Sequence, residues 1–183
     1  MQAQRRTQAE RREETSKQVL TNAVRLFGER GYTETSLEDI AIASRVTTRP
    51  IFHYFGNKKS LFAAVNAVME ERIVATMGAD EPWAAFLDLC EDARFRQVVL
   101  VDGPVVLGRD RWQDSAVTTR LRGLMSADTQ AGLRAEMQLR MVMGALSEAA
   151  LLIATSDEPA RLREVAEELG PALFATLTQT GTR

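Results

Sequence analysis

Apolar residues return every three or four positions along almost the whole of this 183-residue chain, and runs that alternate with period two are nearly missing. That spacing places one face of a helix against a core and leaves no pleated surface for a sheet. The longest β-branched run, Val98-Val99-Leu100-Val101, is too short and isolated to seed one. An all-α fold of about nine helices is therefore expected. Uninterrupted apolar stretches fall short of the ~20 residues that span a bilayer, and the first 18 residues lack the apolar core of a signal peptide, so a cytoplasmic protein is expected. Cys90, the sole cysteine, excludes an intrachain disulfide framework.

Local signals divide the chain further. Val19, Ala23, Leu26 and Phe27 stripe a first helix that stops at Gly31; Thr7-x-x-Glu10 and Thr15-x-x-Gln18 both fit a capping box at its start. Ser36 caps a short helix over Leu37 to Ser44, and Thr47 caps another over Thr48 to Tyr54. Asn57 caps a fourth helix striped by Leu61, Phe62, Val65, Val68, Met69 and Ile73. The fifth carries Trp83, Phe86, Leu87 and Cys90, and a sixth piece over 94–101 is expected to break at Asp102-Gly103-Pro104. A seventh is expected from about Asp110 to Met125, with long helices over about 129–154 and 158–178. The boundary is placed at residue 60, giving a head over 1–60 and a helical body over 61–183.

Charge follows the same division. The net charge is -2, but residues 1–60 hold 11 basic and 7 acidic side chains, so the head is basic and the body acidic. A basic head points to a polyanion. The helices at 37–44 and 48–54 are joined by only Arg45-Val46-Thr47, the spacing of a helix-turn-helix, whose second helix enters a major groove. Thr47, Thr48 and Arg49 offer two hydroxyls and a guanidinium on its first turn, and Arg pairs best with guanine O6 and N7. His53 and Tyr54 follow near its end, and Lys58 stands at the next helix's N-terminus, where anions bind.

The stretch LTNAVRLFGERGYTETSLEDIAIASRVTTRPIFHYFGNKKSLFAAV resembles the DNA-binding head of the TetR (tetracycline-repressor) family along its whole length. The likeness rests on LF-x-E-x-GY-x-x-TS-x-x-x-IA, a Val-Thr turn, and an aromatic-x-Tyr-Phe ending followed by Asn-Lys-Lys. It implies a homodimeric repressor that binds palindromic double-stranded DNA and is released by a small-molecule effector. By the resemblance, Thr47, Thr48, Arg49 and Pro50 face the groove. Phe52, His53 and Tyr54 lie nearest the backbone, Lys58 meets a phosphate, and Thr35 and Ser36 begin the supporting helix where the family touches phosphate. Two residues depart from the pattern: Phe52 replaces a usual Tyr and loses its hydroxyl, and Arg49 replaces a residue that is often small.

Farther on, VVLVDGPVVLGRDRW and MGALSEAALLIA look like effector-domain segments of the same family. Met69, Trp83, Phe86, Cys90, Trp112, Met125, Met137 and Met141 are candidates for an effector pocket, since aromatic and Met side chains suit adaptable apolar ligands. Few charges point inward by pattern, which favours an apolar or cationic aromatic effector. Only ten residues separate Trp83 from Arg94, too short a helix to wall a large pocket. The last two helices are apolar beyond a single stripe, so Gly144, Ala149, Leu152, Leu162, Leu169 and Leu173 are expected to form a four-helix interface with a second copy. Nothing supplies a catalytic constellation: His53 lacks an orienting carboxylate, and Glu164, Glu167 and Glu168 read as a solvated face. No glycine-rich phosphate loop is present, so no cofactor is called for. The competing expectation is a helical protein-interaction module whose basic head binds an acidic partner.

Overall fold

The computed structural model describes residues 7–112, 115–124 and 132–178, and every regular element among them is helical. The first helix, α1 (Gln8–Arg30), starts at the earlier of the two capping boxes. The Glu10 N–H reaches the Thr7 hydroxyl at 3.2 Å, and the Thr7 N–H returns to the Glu10 carboxylate at 2.6 Å. Arg11 and Arg12 are thereby helical; Arg5 and Arg6 lie outside the described residues. α1 ends at Gly31, whose φ of 80° is open to a residue without Cβ.

Two short helices follow, α2 (Leu37–Ala43) and α3 (Thr48–Phe55). The turn between them is a Schellman motif: the Val46 N–H bonds to the Ala41 carbonyl at 3.0 Å, and the Arg45 N–H to Ile42 at 3.1 Å. Its left-handed position, φ 55°, is filled by Arg45 where glycine would be unstrained. α4 (Lys58–Thr76) is capped by Asn57, and its buried face carries Leu61, Phe62, Val65, Met69 and Ile73. Phe62 meets Phe27 edge-on at 5.2 Å and Tyr32 at 5.2 Å, which fastens the end of α1 to the start of α4.

α5 (Pro82–Glu91) packs on α4 and on the last helix. The sixth helix does not break where expected. α6 runs through Ala93–Phe95, Arg96–Asp102 and Gly103–Val106 without interruption, its middle segment π-helical. The wider π spacing lets the Gly103 N–H reach the Val98 carbonyl, and Pro104, which has no N–H to give, then falls in the first turn of the resumed α register. The expected seventh helix is split into a 3₁₀ turn, Arg109–Trp112, and α7 (Ala116–Leu124). The long pair is α8 (Leu133–Thr155) and α9 (Pro159–Thr178), which pack on each other.

α8 is, by length and composition, apolar enough to cross a membrane, although its residues divide between two environments. Ala135, Leu139, Val142, Met143, Leu146 and Ala150 enter the core. Leu133, Met137, Met141 and Leu152 are 53–90% exposed.

Candidate nucleic-acid interface and effector cavities

α3 is held by one fully buried side chain, Ile51, with Phe55 half-buried behind it. Around that anchor Thr47, Arg49, Phe52 and His53 are exposed, and Thr48, Pro50 and Tyr54 are half-buried. Thr47 occupies the N-cap position as expected, yet its side chain makes no capping hydrogen bond. The Thr48 and Arg49 amides at this helix start therefore have no side-chain cap, and the first turn carries no acidic residue to compete for them. At the start of α4 two cations, Lys58 and Lys59, stand on the positive end of the helix, again with no acid in the first turn. Cations at that end are unfavourable unless an anion accompanies them. Lys58 Nζ lies 4.3 Å over the Tyr32 ring, which fixes its position beside α3.

The supporting helix gives a different result. Thr35 is fully buried, and its hydroxyl is directed at the carbonyls of Gly31 at 2.8 Å and Leu26 at 3.2 Å. Thr35 cannot offer that hydroxyl to a phosphate; it ties the loop before α2 to the end of α1. The half-buried Ser36 hydroxyl is engaged with Asp39, accepting its N–H at 3.0 Å and donating to its carboxylate at 2.7 Å. The hydroxyl's bond to the carboxylate, joined by one from the Ser36 N–H at 3.0 Å, holds the Asp39 carboxyl below the usual carboxylate range.

The apolar pocket expected in the body is not gathered into one place. Trp83 and Phe86 stack at 6.1 Å and are buried, and the Trp83 indole N–H donates to the Ala166 carbonyl of α9. Met69 is core. Cys90 borders a cavity of roughly 470 Å³ between α5, α6, α8 and α9, its thiol pushed up to about 12 by burial. Trp112 borders another of roughly 330 Å³ with Leu139 and Met143. Met137 and Met141 are 61% and 65% exposed and line neither; side chains one helical turn apart share a face, and theirs points away from the core. Met125 lies outside the described residues. α5 has only ten residues, and the candidate residues divide among several modest cavities.

Charges do point inward, contrary to expectation. On α4, Asn66 and Glu70 are 3% and 5% exposed, and the Asn66 amide donates to the Glu70 carboxyl at 2.5 Å. Burial raises Glu70 to about 7, against the opposing pull of that hydrogen bond and of Arg111. Arg111, on the 3₁₀ turn, donates to the Val99 carbonyl at 3.2 Å and lies 4.4 Å over the Trp112 ring. The Asn66 carbonyl oxygen and Arg111 Nε are buried without partners. Both lie 3.3 Å from the point where a side chain on Gly103 would begin, so glycine permits this close assembly. All three polar residues border a cavity of roughly 360 Å³ with Glu71, Leu107 and Ser115. The signal in the sequence was the pair Asn66 and Glu70, four apart between Phe62 and Ile73 on an otherwise apolar stripe. Among the described residues no group of three or more His, Cys, Asp or Glu is placed to hold a metal.

Residues 19–65 match the sequence model described as bacterial regulatory proteins, tetR family, and residues 76–176 match that of the tetracyclin repressor-like C-terminal domain. A helix-turn-helix-type transcriptional repressor of Mycobacterium tuberculosis is 35% identical over 71 residues, which is 39% of this chain and 38% of that protein. The aligned part is thus well under half of that relative's length. Among solved structures, a TetR-family transcriptional regulator from Pectobacterium atrosepticum is similar with a TM-score of 0.59 and 26% identity, covering 97% of this chain and 100% of the other. A TetR-family regulator from Streptomyces coelicolor gives 0.61 and 26% over the same shares.

Proposed function

The chain belongs to the TetR family, and from that premise we propose that it is a homodimeric transcriptional repressor that grips a palindromic operator through α2 and α3 and releases it when a small molecule enters the body. The observation that carries the reading is the two successive helix starts, α3 and α4, with Arg49, Lys58 and Lys59 in their first turns and no acid in either. Phosphate is the partner such an edge lacks. In this reading Arg49, Thr47 and Thr48 read base edges, while Lys58 and the Thr48 and Arg49 amides meet the backbone. Phe52, 52% exposed, packs on sugar or a thymine methyl in place of a hydrogen bond. Ser36 contributes through its position at the start of α2, its hydroxyl being committed to Asp39.

The dimer seam follows from the surplus apolar surface. On α9, Val165 and Leu169 are exposed and Leu162 and Leu173 half-buried; across from them on α8 stand Ala149 and Leu152. Continuing along the same side of α8 at helical spacing come Gly144, Met141 and Met137. We assign Met137 and Met141 to this seam instead of to a pocket. Two copies joined there would carry two recognition helices, which one duplex face accepts at about 34–36 Å separation or a multiple of it. The head then comprises residues 1–60, and α4 transmits between it and the body.

The test is fluorescence anisotropy on DNA from the chain's own upstream region, titrated with salt. Binding that falls with a slope of about -0.9 in log K per neutralised phosphate, and that prefers a palindrome over scrambled duplex, is the expected result. Equal affinity for every duplex would refute operator recognition.

A further inference from the structure

The interior charge beside α4 bears on the chemistry of the effector, an inference that rests on the reading that the body binds a small molecule. Within the cavity bordered by Asn66, Glu70 and Arg111, the two ionisable groups are not equivalent. Arg111 keeps its positive charge at every physiological pH, even with burial lowering it to about 10. Glu70 can shed its charge by taking a proton. Glu71, at the rim, is exposed to solvent, where salt screens it. The permanent interior charge is therefore positive. Of the guanidinium's five N–H donors, one is given to the Val99 carbonyl, and the ring of Trp112 supports its plane.

We propose that this cavity takes a small organic monocarboxylate, its carboxylate on Arg111 and its second oxygen facing Glu70. A guanidinium recognises a carboxylate in a planar, two-pronged way, and Arg111 brings one, half-buried, to the wall of this cavity. Two carboxylates cannot sit face to face with both ionised, so Glu70 enters the complex as the acid and donates a hydrogen bond. Its upward shift to about 7 makes that proton available near neutrality, with Arg111 the charged group acting on it. A cationic ligand would instead have to share the space with Arg111.

The same contacts lead out of the cavity. A ligand that draws Arg111 toward itself competes with the Val99 carbonyl in the π-helical segment of α6. At the end of that segment, Asp102 accepts the Tyr32 N–H at 2.8 Å and the Gln97 amide at 3.0 Å, so it ties α6 to the corner between α1 and α2. Two hydrogen bonds and one helical turn thus separate the ligand from the head.

The experiment uses three acids of increasing size, benzoate, 2-naphthoate and decanoate, each with its neutral amide and its amine, in calorimetric titrations of the full-length protein. At least one acid is expected to bind at least tenfold more tightly than its amide or amine, and to weaken by about tenfold from pH 6 to pH 8, with proton uptake rising from near zero at pH 6 to close to one proton at pH 8. Glu70→Gln, which imitates the protonated side chain, should bind that acid with no pH dependence. Arg111→Met should lose at least tenfold in affinity while its circular dichroism melt shows an intact fold. If no acid outbinds its amide, or if an amine binds best and releases a proton, the proposal is wrong. It is equally wrong if Arg111→Met binds the acid as the parent does. Operator binding is measured separately without ligand: a chain that binds no DNA sinks the repressor reading and leaves these titrations to stand or fall on their own.

Discussion

Replacing Gly28 by alanine tests how closely α1 is pressed onto α6. A Cβ at residue 28 would lie 2.6 Å from Arg94 Cβ, 3.0 Å from its Cγ and 3.1 Å from its Cα. Carbon atoms rest comfortably at about 3.5–4.0 Å, so the two helices must part by roughly 1 Å. Rotating the Arg94 side chain gives no relief, because Cα and Cβ move only with the backbone. Overpacking of this kind costs about 1–3 kcal/mol, and alanine returns about 0.8–1.0 kcal/mol through its better helix propensity. Gly123→Ala isolates the second effect, since a Cβ there meets nothing within 4 Å among the described residues. Urea unfolding at one fixed protomer concentration should therefore find Gly28→Ala less stable than Gly123→Ala by about 1–3 kcal/mol. In a thermal melt that is about 2–4 °C per kcal/mol for a chain of this size. The pair Gly28→Ala with Arg94→Gly should recover part of the loss in a double-mutant cycle. If Gly28→Ala gains as much stability as Gly123→Ala, α1 and α6 do not meet as described, and the α1–α6 route between body and head loses one of its contacts.

Arg49→Ala should cost about 1–3 kcal/mol per half-site and relax the preference at one base position, whereas Lys58→Ala should weaken all sequences alike and flatten the salt slope; anisotropy on a panel of operator variants separates the two. Leu152→Glu combined with Leu169→Glu should give helical monomers with little operator affinity, and dimers persisting in sedimentation would overturn the seam. Arg45→Gly should raise stability by a few tenths to about 1 kcal/mol in urea unfolding, because the turn's left-handed residue then costs nothing; an unchanged midpoint would mean that Arg45 is unstrained. Glu70 holds its proton up to about 7 when folded but only to 4.5 when unfolded. Its burial therefore erodes stability as pH climbs from 4.5 to about 7, by a total on the order of 3 kcal/mol. Parent and Glu70→Gln should consequently diverge between pH 5 and pH 8, with the glutamine variant favoured at the higher pH; parallel curves would count against the buried carboxyl.

The head was legible because its elements are set by chemistry within a few residues. Ser36, Asn57 and Gly31 mark helix ends by hydrogen bonds and dihedrals that need no distant partner, and α2 and α3 lie within a residue of the ranges read from the sequence. The body was legible only in its long helices. Gly103-Pro104 reads as a break by local rules, but the π spacing sustained by packing against α1 and α4 carries the helix through it. Met137 and Met141 share their residue type with pocket-lining side chains, and only the rotation of α8 about its axis, fixed by Leu139, Val142 and Leu146, turns them outward. Thr35 looks like a phosphate contact until the path of the loop buries it. Arg111 carries no periodic signal at all, since it stands on a 3₁₀ turn whose place beside Asn66 depends on residues far away in the chain.

The single-anchor attachment of α3 bears on how this regulator can change its target. Ile51 is the one fully buried residue of α3, and Phe55 packs half-buried against the same core. Under the proposed reading, the exposed Thr47 and Arg49 contribute little to the core, so substitutions there leave folding nearly neutral while altering which bases are contacted. Duplicated copies of the gene are thus free to drift toward new operators one side chain at a time without passing through unstable intermediates. The body has no such freedom around Gly103, where a Cβ would meet atoms of α4, α6 and the 3₁₀ turn at 3.1–3.3 Å, closer than ordinary contact. Divergence in a lineage descended from this chain should therefore be fast on the reading face of α3 and slow where α4, α6 and the 3₁₀ turn meet.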